Sequence, residues 1–280
     1  MSRPYVAVLG PVQVRLGPRL LHVGGPREQK ALAALALAAP QVVTADRLAQ
    51  ILWDESIPAT AKAQVHNTIA RLRRHLTEQT GEPDLIARSG PGYVLRLRDD
   101  ECDASLFATR ERLGNALVER GQLAEALTTL RTALELWRGP ALDGLACPAL
   151  AVQARRLDEQ HLACLERRID LDLALGRHSD VLGELAGLVA EHPLRERLVE
   201  LQMLALYRCG RRLEALELFH ATRDALIEQT GLDPRPELAD LHRAILAGEA
   251  WLTRYASGVT PEKVETAGEG LLPGLPPRAP

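Results

Sequence analysis

From residue 103 onward the chain has one kind of order. Segments 104–120, 122–137, 149–175, 178–191, 195–209 and 212–229, and a shorter one over 236–247, repeat their apolar residues every three or four positions. Helices of this kind bury their apolar stripes only against other helices, so this part must be all-α. The residues before 103 follow a different pattern. The 280-residue chain therefore reads as two architectures in series, which suits domains of about 100–200 residues.

The helical part also repeats itself. "GQLAEALTTLRTAL" (121–134), "GRHSDVLGELAGLV" (176–189) and "GRRLEALELFHATR" (210–223) each open with Gly and a polar pair and then run into a Leu/Ala stripe. The second and third glycines are 34 residues apart, the period of tetratricopeptide helical hairpins. The first two are 55 apart, so the array is interrupted. "RGPALDGLACP" (138–148), rich in Gly and Pro, is the expected insertion. The Pro/Gly-rich end, "TPEKVETAGEGLLPGLPPRAP" (260–280), has little to bury and is expected to be flexible.

Before residue 103 three short branched-residue runs, "YVAVL" (5–9), "VQVRL" (12–16) and "LLHV" (20–23), are separated by Gly-Pro and Gly-Gly pairs. They predict a small antiparallel meander. A helix over 26–39 follows, opened by Pro26 and stopped by Pro40. A short helix over 44–53 has Thr44 as its N-cap and Leu48, Ile51 and Leu52 on its inner face. A third helix contains "AKAQVHNTIARLRRHL" (61–76), and a hairpin, "LIA-RSGPG-YVLRL" (85–97), closes the region. Two helices joined by a short turn and followed by a two-stranded wing make a winged helix-turn-helix.

Val65, Ile69, Leu72 and Leu76 fall on one face of the third helix, with Asn67 and Arg74 nearly opposite and Gln64 and Arg71 beside them. Asn and Gln can pair bidentately with adenine, and Arg with guanine O6 and N7. Lys62, Arg73, Arg74 and His75 are better placed for phosphates. A polar helix face is also what a plain solvated surface needs. Three further features favour DNA: the short helix before, the hairpin after with its Arg88, and charge. Residues 1–98 carry 13 Lys and Arg against 7 Asp and Glu, a net of +6, whereas residues 99–280 carry 21 against 30, a net of −9. A basic module joined to an acidic one points to an anionic partner for the first. Aromatic residues are 3%, too few for the stacking platforms of single-strand binders, so duplex DNA is favoured.

Other chemistries find no support in the sequence. Cys102, Cys147, Cys164 and Cys209 are scattered, without the paired spacing of a zinc site or a disulfide framework, and are read as buried or idle thiols. No metal and no cofactor is expected. The sequence lacks GxSxG, GxxxxGK[ST], HExxH, and GxGxxG after a strand, so an enzyme is not expected. Asp170 and Asp172 are read as surface carboxylates on a helix. No apolar stretch approaches the ~18 residues of a membrane span, and no signal-peptide core is present. The expected location is the cytoplasm.

These segments resemble a known family. "VLGPVQVRLG", "GGPREQKALAALAL", "VVTADRLAQILW", "AQVHNTIARLRRHL" and "PGYVLRL", followed by "ALELWRGPALDGL", the run from Ala154 to Leu216 and "GLDPRPELADLHRAIL", are similar in order to the Streptomyces antibiotic regulatory proteins. The resemblance covers about residues 4–248. It implies an OmpR-type winged helix (α+β) over 1–98, an all-α, tetratricopeptide-like bacterial transcriptional activation domain over 99–250, and a flexible tail over 251–280. It implies an activator of a secondary-metabolite gene cluster that binds direct repeats near a promoter, with protomers side by side, and recruits RNA polymerase holoenzyme through its sigma factor. Carried over residue by residue, Gln64, Asn67, Thr68 and Arg71 would face bases. Lys62, Arg73, Arg74 and the wing's Arg88 would meet phosphates. The connection over 54–60, with Asp54, Glu55, Ser56 and Ile57, would touch polymerase; as bare sequence it is equally a plain connector. The family's helix often starts with an aromatic or Leu-Gln-Thr-like stretch. Here His66 and Asn67 replace it, so the base preference does not carry over. A repressor or ligand-responsive regulator with the same DNA module, and a helical-repeat adaptor, are the alternatives.

Overall fold

The computed structural model describes residues 3–53 and 57–256. It divides into two compact units, one of residues up to Leu113 with Arg131–Leu162, the other of Gly114–Leu130 with the residues from Ala163 on.

The first unit opens with the antiparallel sheet β1 (Pro4–Ala7), β2 (Gln13–Leu16), β3 (Arg19–Leu21), in that spatial order. α1 (Pro26–Ala38) carries Pro26 in its first turn, where the missing N–H costs nothing. Its run Ala31–Ala36 is buried on all sides, which makes α1 the central post of the unit. A two-residue strand, β4 (Val43–Thr44), precedes α2 (Ala45–Trp53). It lies where the sequence suggested only a helix start. Thr44 does both jobs: it pairs with Gly92 of the wing, and its Oγ1 accepts the Arg47 N–H at 3.2 Å, capping α2. α3 (Ala61–Thr80) follows, then β5 (Ile86–Ser89) and β6 (Gly92–Leu95). The second sheet has the order β4-β6-β5, and Ile86 to Ser89 pair with Leu95 to Gly92. Leu32, Leu35, Leu48, Ile51, Ile69, Leu72, Leu76, Ile86 and Leu95 form the centre of the core.

The Gly/Pro-rich stretch 138–148, expected as an insertion in the helical array, completes this unit. Leu142 N–H donates to Val8 O at 3.0 Å and Arg138 N–H to Leu9 O at 3.0 Å. Leu142, Cys147 and Leu150 enter the same core as the winged helix. Asp103, buried at the start of α4 (Asp103–Glu119), accepts the Val8 and Leu9 N–H groups at 2.8 and 3.0 Å. Arg138 donates to Pro11 O at 3.1 Å and lies 3.4 Å from the Asp103 carboxylate. These bonds satisfy main-chain groups beyond the end of β1 that no sheet partner reaches.

α5 (Leu123–Leu134) and α6 (Ala151–Ala174) follow α4, and α7 (His178–Glu191), α8 (Glu196–Arg208), α9 (Arg212–Thr230) and α10 (Pro236–Ala247) build the second unit. The three repeat glycines behave alike. Gly121, Gly176 and Gly210 have φ of 75°, 81° and 78°, and the N–H of the next residue reaches back to Leu117, Asp172 and Leu206 O at 2.9 Å in each case. This is the Schellman closure, which requires a left-handed residue that glycine supplies without strain. The internal repeat is therefore a repeat of helix endings.

Two expectations are corrected here. Asp170 and Asp172 are buried, at 4% and 0% exposure. Asp170 pairs with Arg197 at 2.9 Å and Asp172 with Arg168 at 3.3 Å, because only paired charges survive burial. The tail expected to be flexible from residue 251 begins as a 3₁₀ turn, Ala250–Ala256. Leu252 there is fully buried and its carbonyl accepts from Arg208 Nε at 2.8 Å. Residues 257–280 lie outside the described residues.

Candidate nucleic-acid interface

α3 is the element from which a site can be built. Val65, Ile69, Leu72 and Leu76 are buried against the core, as their spacing predicted. The outward line consists of Ala63, His66, Asn67, Ala70, Arg71 and Arg74, all exposed and spaced at three and four residues along one helix face. Two alanines in this line keep it low, so a flat surface can approach the helix closely.

The predicted site residues fare differently. Asn67 and Arg74 are exposed on the outward line. Arg71 is there too, but its Nε is 2.8 Å from Glu28 Oε1 of α1. Gln64 is half-buried and folded back, its Nε2 donating to Thr60 Oγ1 at 2.9 Å. Thr68, expected to face bases, is 1% exposed. It lies about 60° around the helix from Val65, inside the packed arc, and is a core residue. Arg73, expected at a phosphate, turns inward, and its Nε donates to Ile86 O at 2.9 Å. It thereby ties α3 to the first strand of the wing. Lys62 pairs across the turn with Asp46 of α2 at 2.9 Å, both side chains well exposed. Such a pair is weak in water. Arg88 is exposed on β5. Of the residues expected to touch polymerase, Ile57 is described and exposed, whereas Asp54, Glu55 and Ser56 lie outside the described residues.

Three residues not predicted as site members belong to this region. His66 lies on the outward line, and its Nδ1 is 2.5 Å from the hydroxyl of Tyr93 on β6. Tyr93 is buried. Glu28, 9% exposed at its side chain, holds Arg71. The helix wheel placed Asn67 and Arg74 outward and gave His66 no role, and the partners on α1 and β6 are non-local and have no signature in the α3 sequence.

The wing is held close. An ideal Cβ on Gly92 would lie 2.1 Å from Val43 O, so only glycine lets β4 and β6 pair at this point. The resulting geometry is a helix with one polar, low-relief face and a basic hairpin beside it, built on one core. Among the described residues no group of three or more His, Cys, Asp or Glu could hold a metal ion. No helix there is long and apolar enough to cross a membrane. Cys102, Cys147 and Cys164 are buried and Cys209 is half-buried.

Comparison with known proteins agrees with this architecture. Residues 23–95 match the family model described as "Transcriptional regulatory protein, C terminal", and residues 102–246 match "Bacterial transcriptional activator domain". The chain is 39% identical over 254 residues to the regulatory protein AfsR of Streptomyces griseus, covering 91% of this chain and 26% of AfsR. It thus spans about a quarter of that relative's length. With the regulatory protein DnrI of Streptomyces peucetius it shares 34% identity over 253 residues, 85% of this chain and 93% of DnrI. The solved structure of Mycobacterium tuberculosis EmbR in complex with a low-affinity phosphopeptide superposes with a TM-score of 0.85 at 30% identity, covering 91% of this chain and 69% of EmbR. The winged helix, the activation domain in its expected place after it and the near full-length match to DnrI converge: the chain belongs to the Streptomyces antibiotic regulatory protein family of transcriptional activators.

Proposed function

We propose that this regulator binds duplex DNA with α3 in the major groove, as a winged helix-turn-helix domain over 1–98 joined to an activation domain over 99–250. The observation that carries the reading is the line Ala63, His66, Asn67, Ala70 and Arg74, exposed along one face of α3 while the opposite face is packed. Asn67 suits adenine and Arg74 suits guanine or a phosphate. Arg88 on the wing and Lys62 at the start of α3 would neutralise backbone phosphates on either side. Protomers would sit side by side on direct repeats near the promoters of a secondary-metabolite cluster. The 54–57 connection would touch the sigma factor of RNA polymerase holoenzyme. The setting would be the bacterial cytoplasm, at the nucleoid, and the activity that of a regulator without catalysis or cofactor.

The test is binding of the full chain to the promoter regions beside its own gene at several salt concentrations. Binding should weaken steeply with salt as counterions are released. Asn67→Ala should lower affinity for the preferred sequence only. Lys62→Ala should weaken all sequences alike and reduce the salt slope by about one. If neither variant differs from the parent, α3 is not the reading element. In-vitro transcription from the bound promoter separates activator from repressor. An Asp54→Ala, Glu55→Ala variant that bound normally and activated normally would remove the polymerase role from that connection.

A further inference from the structure

His66 is the one outward residue of α3 whose ring is fixed by the wing. Its Nδ1 is 2.5 Å from the Tyr93 hydroxyl, and the two rings meet edge to face with centroids 5.9 Å apart. Tyr93 is 6% exposed, so its hydroxyl needs a protein partner, and His66 is the partner it has. A phenol is the stronger donor of the two and an imidazole nitrogen the stronger acceptor, so the proton of this bond belongs to Tyr93. A neutral imidazole that accepts at Nδ1 carries its own proton on Nε2. Nε2 lies across the ring from the bond to Tyr93, on an exposed side chain, and no partner is seen for it among the described residues. Ala63 and Ala70 are its helical neighbours at three residues before and four after, both exposed, and they leave the space around the ring open.

We propose that His66 reads a base, donating from Nε2–H to an acceptor on a major-groove edge, and that Tyr93 is the positioning residue that fixes its tautomer and aims its ring. A single donor fits guanine best, which shows N7 and O6 as acceptors and no donor; adenine and thymine each offer one acceptor beside an amine or a methyl group, and cytosine, which shows only the N4 amine, is the mismatch. The proposal rests on α3 entering the major groove. It adds a specificity residue at the position where this chain departs from its family's pattern, and a wing residue that acts on sequence choice without touching DNA.

The experiment is selection of duplexes from a randomised pool by the full-length chain and its His66→Ala, Tyr93→Phe and Asn67→Ala variants, each checked for unchanged thermal unfolding. The parent should enrich a motif with a guanine that His66→Ala no longer requires, other positions being kept. Affinity of His66→Ala for the parent's best duplex should fall about two- to tenfold, the range for one neutral hydrogen bond. Tyr93→Phe should relax the same position and no other. If His66→Ala selects the parent's motif while Asn67→Ala alters it, groove reading by α3 stands and the role of His66 is overturned. If the position lost in His66→Ala is a cytosine, the tautomer is the opposite one and the role of Tyr93 fails. If the parent enriches no motif at all, the DNA reading fails and takes this proposal with it.

Discussion

Arg71 Nε lies 2.8 Å from Glu28 Oε1, joining the outward face of α3 to the first turn of α1. The two ends of this pair live in different media: the Arg71 side chain is 50% exposed and that of Glu28 is 9% exposed. A carboxylate near a helix N-terminus is favoured by the helix dipole, but one this buried still needs its cation. With Nε engaged, the two terminal nitrogens of the Arg71 fork remain for a base or a phosphate. Glu28 thus holds an Arg that would otherwise be one of the most mobile side chains on this face.

The asymmetry predicts unequal mutants. Arg71→Ala strands a buried carboxylate and should destabilise by about 2–3 kcal/mol, somewhat less than the usual cost of breaking a fully buried pair. Glu28→Gln leaves Arg71 in water and should cost about 1 kcal/mol or less. Glu28→Gln with Arg71→Ala should be more stable than Arg71→Ala alone. Urea denaturation of the three variants measures this; equal costs for the two single variants would count against it.

Gly92 and Gly210 make a second comparison. An Ala at Gly92 meets Val43 O at 2.1 Å, so the β4–β6 pairing must open. An Ala at Gly210 meets nothing within 4 Å and suffers only its left-handed φ of 78°. Gly92→Ala should lose about 3 kcal/mol or more by overpacking against main chain, and DNA affinity with it. Gly210→Ala should cost about 1 kcal/mol and leave DNA affinity unchanged. Thermal unfolding and duplex binding on both variants check the pair.

The local devices of this fold were legible in the sequence because each is written in neighbouring residues. Thr44 caps α2, Pro26 starts α1, and the repeat glycines end their helices as the pattern implied. The errors fall where the partner is distant. Asp170 looked like a surface charge because Arg197 comes from another helix. Asp172 has Arg168 one turn away on α6, but its burial comes from packing that the local sequence does not show. On α3 nothing announces that Glu28 or Tyr93 is near. Thr68 and Arg73 are a different case. At about 60° and 80° from Val65 around the helix, both sit near the packed arc. Their own phase argued against the outward roles, which for Thr68 came from family resemblance and for Arg73 from its charge beside the polar face as well.

Asp103 holds the N-terminal strand to the segment that follows α5. It accepts N–H groups from Val8, Leu9 and Ala104, so Asp103→Ala leaves buried donors unpaired and should cost about 3 kcal/mol. Burial, its largest influence, pushes the carboxyl above the ordinary Asp range, while the Val8 and Leu9 N–H groups and Arg138 pull it back. A folded value above the unfolded one means that its stabilising contribution is complete below about pH 4 and declines as pH rises through the folded value. The stability of the parent relative to Asp103→Asn should therefore be greater in acid than at neutral pH. Urea midpoints at the two pH values measure it, and an advantage that shrinks in acid would contradict the assignment.

His242 of α10 sets a pH dependence of the opposite sign in the second unit. Its ring stacks on Phe219 with centroids 3.9 Å apart and lies 5.3 Å from His220, and its buried Nε2 has no hydrogen-bond partner among the described residues. Burial first, and then His220, hold its pKa below the ordinary histidine value. A lowered histidine contributes stability that is present above about pH 6.5 and is lost as pH falls through the folded value. The second unit should lose stability between about pH 7 and pH 5. His242→Phe keeps a ring against Phe219 and removes the titrating group, so it should flatten this loss. His178, which burial also lowers, remains and leaves a residual slope. Tryptophan fluorescence is a poor reporter here, with Trp251 the single tryptophan of this unit and exposed enough to be quenched by solvent; far-ultraviolet circular dichroism in urea, at both pH values, decides it. A variant with the full acid sensitivity of the parent would show that His242 is not its source.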